Sequence, residues 1–245
     1  MITLNGHRVT PTIFPDKTSQ VWKLDKAAIC EDGNRVRWEF ENEGEFLQLA
    51  QLKTFLDLHC KFDTSLELPY LPYARQDKEV TNETTFAFYT FAELLNHLNF
   101  SKVFVFDPHN VELTKRLIDR VDITMPDIGK IVKWAGDATP VYPDAGAAKR
   151  YVAITKALYC EKVRDQSTGE ITGLKVKGKV QKKSYIIIDD ICDGGRTFIE
   201  VAKKLYAAGA KEVHLYVSHG IFSKGLEPLR DAGIKRIFTR KGEVK

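Results

Sequence analysis

The stretch SYIIIDDICDGGRTFIEVAKKL, residues 184–205, constrains the fold more than any other part of the chain. Tyr185, Ile186, Ile187 and Ile188 form an unbroken apolar run that ends in two carboxylates, Asp189 and Asp190. A run of that length and β-branched content suits a strand covered on both faces. Asp193, Gly194 and Gly195 then interrupt it, and Thr197 opens a helical pattern that stops at Gly209. A strand buried on both sides and followed at once by a helix belongs in a mostly parallel sheet flanked by helices.

The rest of the chain repeats this rhythm. Strands are expected over residues 36–40, 64–69, 102–107, 140–142, 212–218 and 236–238. Helices are expected over 45–58, 83–98, 111–118, 146–159, 197–208 and near 224–232, with Asn110 as an N-cap. The polar stretch EKVRDQSTGEITGLKVKGK, punctuated by Gly169 and Gly173, reads as a β-ribbon or flap. Outside 36–40 the first 45 residues carry the weakest pattern. Two halves share one order: a strand, a polar loop (PYLPYARQ, then YPDAGAAKR), a helix, and a strand ending in Asp107 or Asp189. That order suggests duplication, with a boundary near residues 122–125 and two half-size α/β domains, 1–123 and 124–245, around a shared cleft.

Composition excludes several classes. With 43% hydrophobic and 29% charged residues the chain is neither disordered nor fibrous. A net charge of +4 and the lack of a basic–aromatic array argue against a nucleic-acid binder. Cys30, Cys60, Cys160 and Cys192 form no metal or disulfide spacing and are expected as free thiols. MITLNGHRVT does not resemble a signal peptide, and no apolar run approaches the ~20 residues of a membrane span. A soluble, cytoplasmic protein is expected, with no membrane partner.

Ligands of open α/β sheets sit at the carboxyl ends of strands. There, backbone N–H groups of residues 193–197 at a helix start suit a phosphate. Asp189 and Asp190 suit ribose hydroxyls, directly or through Mg²⁺. The same string is also compatible with an ordinary strand–turn–helix corner.

Four segments together carry a resemblance. Residues 185–201 are similar to the ribose-phosphate signature of type I phosphoribosyltransferases and ribose-phosphate diphosphokinases. PYLPYARQDK (69–78), DPHN (107–110) and YPDAGAAKRY (142–151) resemble further diphosphokinase segments, in family order across residues 64–223. The chain is identified as a member of that family in a short, phage-like form. The resemblance implies two phosphoribosyltransferase-like domains, the first for ATP and the second for a ribose phosphate. It implies an enzyme that uses Mg²⁺, assembles as a homo-oligomer, and moves the β,γ-diphosphoryl group of ATP to the anomeric hydroxyl of ribose 5-phosphate. By the same resemblance Arg75 and Gln76 bind ATP, with Phe14 and Asp16 of FPDKT as its nucleotide loop. His109 and Asp144, assisted by Asp107, attend the metal. Lys162 and Arg164 of the flap and His109 are catalytic, and His109 also contacts ATP. Asp189, Asp190, Asp193, Gly194, Gly195, Arg196 and Thr197 bind the ribose phosphate.

Departures from the family pattern matter as well. Thr18 stands where relatives usually carry Glu. Gly194 and Arg196 replace a Thr and a Gly of the family's phosphate loop. Arg196 suits bidentate contact with a diphosphate, so ADP-ribose is an alternative acceptor, giving ADP-ribose 1-diphosphate for NAD salvage. A phosphoribosyltransferase would explain residues 185–197 but not PYLPYARQDK. A non-catalytic regulator should have lost Lys162, Arg164, His109 or Asp144, and all are present. The chain reads as shorter than long family members at both ends, so their hexamer and allosteric site are not expected to carry over.

Overall fold

The computed structural model describes the chain apart from residues 23, 26–27, 31, 152–156 and 165–170; of 162–164 and 171–173 it describes the backbone alone. The described residues divide into two compact units, Met1–Met125 and Pro126–Lys245. Each is an α/β layer structure with a predominantly parallel sheet, as the sequence pattern implies.

The first unit begins with an antiparallel hairpin, β1 (Ile2–Leu4) and β2 (His7–Val9). Asn5 and Gly6 both have positive φ, 49° and 88°, the geometry of a two-residue turn that matches strand twist. A short ribbon follows, β3 (Thr12–Ile13) with β4 (Ser19–Gln20). Then come β5 (Asn34–Trp38), α1 (Gly44–His59), β6 (Thr64–Leu68), α2 (Ala87–His97), β7 (Lys102–Phe106), α3 (Val111–Leu117) and β8 (Val121–Thr124). The sheet order is β2-β1-β5-β6-β7-β8, and β5 through β8 are parallel. Trp38 is completely buried and donates its indole N–H to Glu45 at 2.8 Å, joining β5 to the first turn of α1. Phe88, Phe91 and Leu95 of α2 are buried at helical spacing against the same core. That helix starts at Ala87 rather than 83, because Thr81 and Thr84 close a turn through their hydroxyls, 2.8 Å apart.

The second unit holds α4 (Ile128–Trp134), β9 (Thr139–Tyr142), α5 (Ala145–Arg150), β10 (Leu158–Arg164), β11 (Ile171–Lys177), β12 (Ser184–Cys192), α6 (Arg196–Ala207), β13 (Glu212–Gly220), α7 (Glu227–Asp231), β14 (Ile234–Thr239) and β15 (Gly242–Val244). Its sheet runs β11-β10-β9-β12-β13-β14-β15, antiparallel only at the two edges. Tyr185 through Ile188 are completely buried at its centre, which is why their run is continuous rather than alternating.

One expected helix is corrected. Of the helix expected over 146–159, α5 ends at Arg150 and Leu158 already lies in β10, while 152–156 fall outside the described residues. Cys160 is fully buried between partly exposed Tyr159 and Glu161, the alternation of a strand rather than a helical stripe. The expected ribbon is present: β10 and β11 pair antiparallel, with a register irregularity between Val163 and Arg164. No helix among the described residues is long and apolar enough to cross a membrane.

Candidate functional site

The parallel strands of the second unit deliver their following loops to one edge of the sheet. β9 ends in Tyr142, and Asp144 follows as the N-cap of α5, its Oδ1 accepting the Ala147 N–H at 2.9 Å. β12 pairs with both β9 and β13; its pairing with β9 ends at Ile187, so Asp189 and Asp190 lie past the end of β9 while still flanked by β13. The strand continues past both carboxylates to Cys192 before the loop turns.

Asp189 is the most perturbed acid in this group. Burial, followed by the charges of Asp190 and Asp144, holds its pKa well above the ordinary carboxylate value. Asp190 is 4% exposed, and the guanidinium of Arg150, at the end of α5, approaches it at 3.9 Å. Two adjacent carboxylates that repel each other in a shielded place are costly without a ligand or cation. A raised acid pKa means that the folded chain binds more protons than the unfolded one. Stability is therefore lost as pH rises from the ordinary Asp range through the raised value. Asp189→Asn keeps an oxygen for the Asp190 N–H, now bonded at 2.9 Å. It is expected to raise the melting temperature at pH 7 by about 2–4 °C for each ~1 kcal/mol relieved, with the gain shrinking towards pH 4. A variant melting below wild type at pH 7 overturns this account.

The loop after β12 is shaped by Gly195. It adopts φ +75° at the N-cap of α6, and a Cβ there would lie 2.9 Å from Leu229 Cδ2. The left-handed turn directs successive backbone N–H groups outward at the positive end of a twelve-residue helix. Asp193, Arg196 and Thr197 are exposed around it. The Arg196 side chain is 93% exposed and donates from Nε to Glu200 at 3.1 Å.

Two cations near this edge escaped the sequence reading. Ile221 and Phe222 donate their backbone N–H groups to the Cys192 carbonyl at 2.8 and 3.2 Å, tying the loop after β13 to the loop after β12. Lys224 then passes over Gly194: its Cε and Cδ would be 3.6 and 3.7 Å from a Cβ at that position. Arg150 lies in YPDAGAAKRY, a segment of the family resemblance, but no role was attached to it there. Strand order creates both proximities. The Cys160 and Cys192 thiols are pushed up to about 12, mainly by burial, so neither supplies a thiolate.

Lys162 and Arg164 are carried by the β10 backbone; their side chains lie outside the described residues. Tyr159 of β10 pairs with Tyr142, the last residue of β9. The strand therefore runs on past the end of β9, taking Lys162 roughly 10 Å beyond that level at ~3.3 Å per residue.

In the first unit, the remaining candidates lie in the loops after the adjacent parallel strands β6 and β7 and in the β3–β4 ribbon. Arg75 and Gln76 are exposed, in a turn where the Gln76 N–H donates to the Tyr73 carbonyl at 2.8 Å. Tyr73 has φ 61° and donates its hydroxyl to Glu43 at 2.6 Å; burial, then that carboxylate, pushes its pKa up to about 12. His109 is exposed, whereas Asp107 is fully buried with φ 42° and donates its N–H to Thr124 O at 2.9 Å. Phe14 and Asp16 occupy the tip of the β3–β4 ribbon. Asp16 accepts from the Thr18 hydroxyl at 2.7 Å and its N–H at 3.0 Å, bonds that hold its pKa low. Thr18 thus closes the loop through Asp16.

Among the described residues no three His, Cys, Asp or Glu side chains gather closely enough to hold a metal. Mg²⁺ prefers hard oxygens and is commonly carried by one or two carboxylates with substrate phosphates and water. Asp144 fits that donor chemistry: the helix cap uses Oδ1 and leaves Oδ2 out of the bond. Exposed His109 can act through water, while buried Asp107 is better suited to shaping the turn.

A phosphoribosyl transferase domain model matches residues 111–245. The ribose-phosphate pyrophosphokinase of Saccharolobus solfataricus is 30% identical, across 94% of this chain and 82% of that protein. Its counterpart in Sulfolobus acidocaldarius is 29% identical, across 95% and 83%. The crystal structure of phosphoribosylpyrophosphate synthetase from Mycobacterium smegmatis shares the fold, with a TM-score of 0.77 at 21% identity over 95% of this chain and 79% of that one.

Proposed function

The chain belongs to the ribose-phosphate pyrophosphokinase family, and from that membership we propose that it transfers the β,γ-diphosphoryl group of ATP to the 1-hydroxyl of ribose 5-phosphate, releasing AMP. The observation that carries this reading is the second unit's edge, where paired carboxylates at the end of β12 adjoin a left-handed glycine at the start of α6. Such a pairing suits a sugar phosphate: hydroxyls at Asp189 and Asp190, the terminal phosphate on the N–H groups of residues 193–197.

In the reaction the anomeric oxygen attacks the β-phosphorus in line. The bond from that phosphorus to the bridging oxygen of the α-phosphate breaks, and AMP leaves. The highly charged reactants make electrostatic stabilisation the dominant requirement. Arg75 and Gln76 would hold ATP, with Phe14 and Asp16 at the base and ribose. Asp144 of the second unit and His109 of the first are the residues that would attend Mg²⁺, which would supply charge neutralisation on the phosphates. Lys162 would meet charge developing on the transferred group, and Arg164 would hold the diphosphate. A ribbon closing over the reactants would also exclude water from ATP. We also propose a homo-oligomer.

A second acceptor is favoured by one observation. Gly194 lacks a hydroxyl, while Lys224 and exposed Arg196 add charge beside the loop. That combination suits a 5′-diphosphate, so ADP-ribose is the alternative acceptor. The test uses ATP labelled in its β-phosphate: label should pass to an acceptor as AMP appears. Failure with both acceptors overturns the diphosphokinase reading. Arg196→Gly should reduce kcat/KM for ADP-ribose by about tenfold or more, the scale of a charged hydrogen bond, while sparing ribose 5-phosphate. Equal losses on both acceptors would remove Arg196 from acceptor choice.

A further inference from the structure

The loops after β6 and β7, which carry Arg75–Gln76 and His109, are linked through the side chain of Asn110. Asn110 caps α3: its Oδ1 accepts the Leu113 N–H at 3.1 Å. Its Nδ2 donates to Asp77 Oδ2 at 3.0 Å, across 33 positions of sequence. Asp77 follows Arg75 and Gln76 directly, and Asn110 follows His109. The bond therefore links the loop after β6 to the loop after β7, next to the proposed contact residues on both sides. The orientation of the amide follows from chemistry, because only oxygen can accept the helix N–H and only nitrogen can donate to the carboxylate.

We propose that Asn110 is a positioning residue that holds Arg75–Gln76 and His109 in mutual register for the nucleotide. Capping alone does not require Asn, since Asp and Ser cap comparably and Thr only slightly less well. Of those four, Asn alone combines a cap acceptor with an N–H donor that can face Asp77 at the same time. Beside it, the Phe88 N–H donates to the Gln76 carbonyl at 3.2 Å, fixing the backbone just before Asp77. Small displacements of positioned groups cost rate steeply, on the order of 10²-fold for ~1 Å.

This inference rests on the ATP reading, and its test separates the two. Asn110→Ser retains a cap and removes the donor. Asn110→Asp retains the cap and sets a carboxylate against Asp77. Both are expected to keep the wild-type melting temperature within a few degrees and to lower kcat/KM for ATP by about tenfold to 10²-fold, Asp more than Ser. Adding Asp77→Asn to Asn110→Asp restores an amide–carboxylate bond with its polarity reversed, and should recover most of the loss. Hydrogen exchange at residues 75–78 and 107–110 should rise together in Asn110→Ser and return towards wild type in the double variant. Wild-type kinetics in both single variants, or a double variant worse than Asn110→Asp alone, overturns the link. A wild-type chain that transfers no diphosphate from ATP overturns the functional reading instead. The exchange experiment then decides the link without reference to activity.

Discussion

Replacing Lys162 with Ala is expected to lower kcat by about 10²–10³-fold or more, the scale for removing one preorganised charge or donor from a transition state. KM for ATP should change far less, because an interaction made mainly as charge develops is lost from kcat and kcat/KM together. Fold should be preserved. Lys162 is held in β10 by pairing opposite Leu174 of β11, a backbone ladder that Ala maintains. The strand has already run beyond the last residue of β9, so the position is on a projecting ribbon rather than in the parallel core. The measurement is AMP release in single-turnover and steady-state assays, with thermal melting beside it. Wild-type turnover removes Lys162 from the mechanism; lost turnover with a much lowered melting temperature would assign it to structure.

Gly195→Ala is the second large effect, and it combines two physical costs. A non-glycine residue at φ +75° carries about 1–2 kcal/mol of left-handed strain. Its Cβ would also fall 2.9 Å from Leu229 Cδ2, in a core where Leu229 is 2% exposed and has little room to yield. Overpacking of this kind adds about 1–3 kcal/mol, so a loss of about 2–5 kcal/mol is expected from the two together. A loop that relaxes instead of bearing the strain would turn its N–H groups away from a phosphate. Either way ribose-phosphate affinity should fall sharply. Leu229→Val in the same background should recover only the contact share, leaving the backbone strain. A Gly195→Ala protein with wild-type stability and acceptor KM overturns the account. Gly194 makes a useful contrast, since a Cβ there meets Lys224 only at ordinary contact distance.

Much of the architecture was legible in local pattern. The unbroken apolar run at 185–188 required burial on both faces, and the stripe Phe88, Phe91, Leu95 required a helix. Asn110 capped where its position before an apolar helical segment indicated. The β1–β2 hairpin was also within reach: Asn5-Gly6 between short alternating segments is a strong turn signal, and it went unread. Leu158 and Tyr159 misled because the small residues and Lys before them favour helix, whereas pairing of β10 with both β9 and β11 makes these two positions strand. Buried Asp107, beside exposed His109, was hidden for a different reason. Neighbours along the chain carry no information about which side of a turn faces water.

Local sequence specifies the alternation of strands and helices, the parallel sheets, and the polar segments at strand ends, because these follow from periodicity and turn chemistry within short windows. It also contained the family signature at residues 185–201. Only tertiary structure decided which charges meet. Arg150 approaches Asp190, Lys224 passes over Gly194, and Asn110 reaches Asp77 because parallel strands distant in sequence become neighbours and release their loops at the same edge. Those proximities depend on strand order, which is a property of non-local pairing and burial, and no local run of residues specifies it.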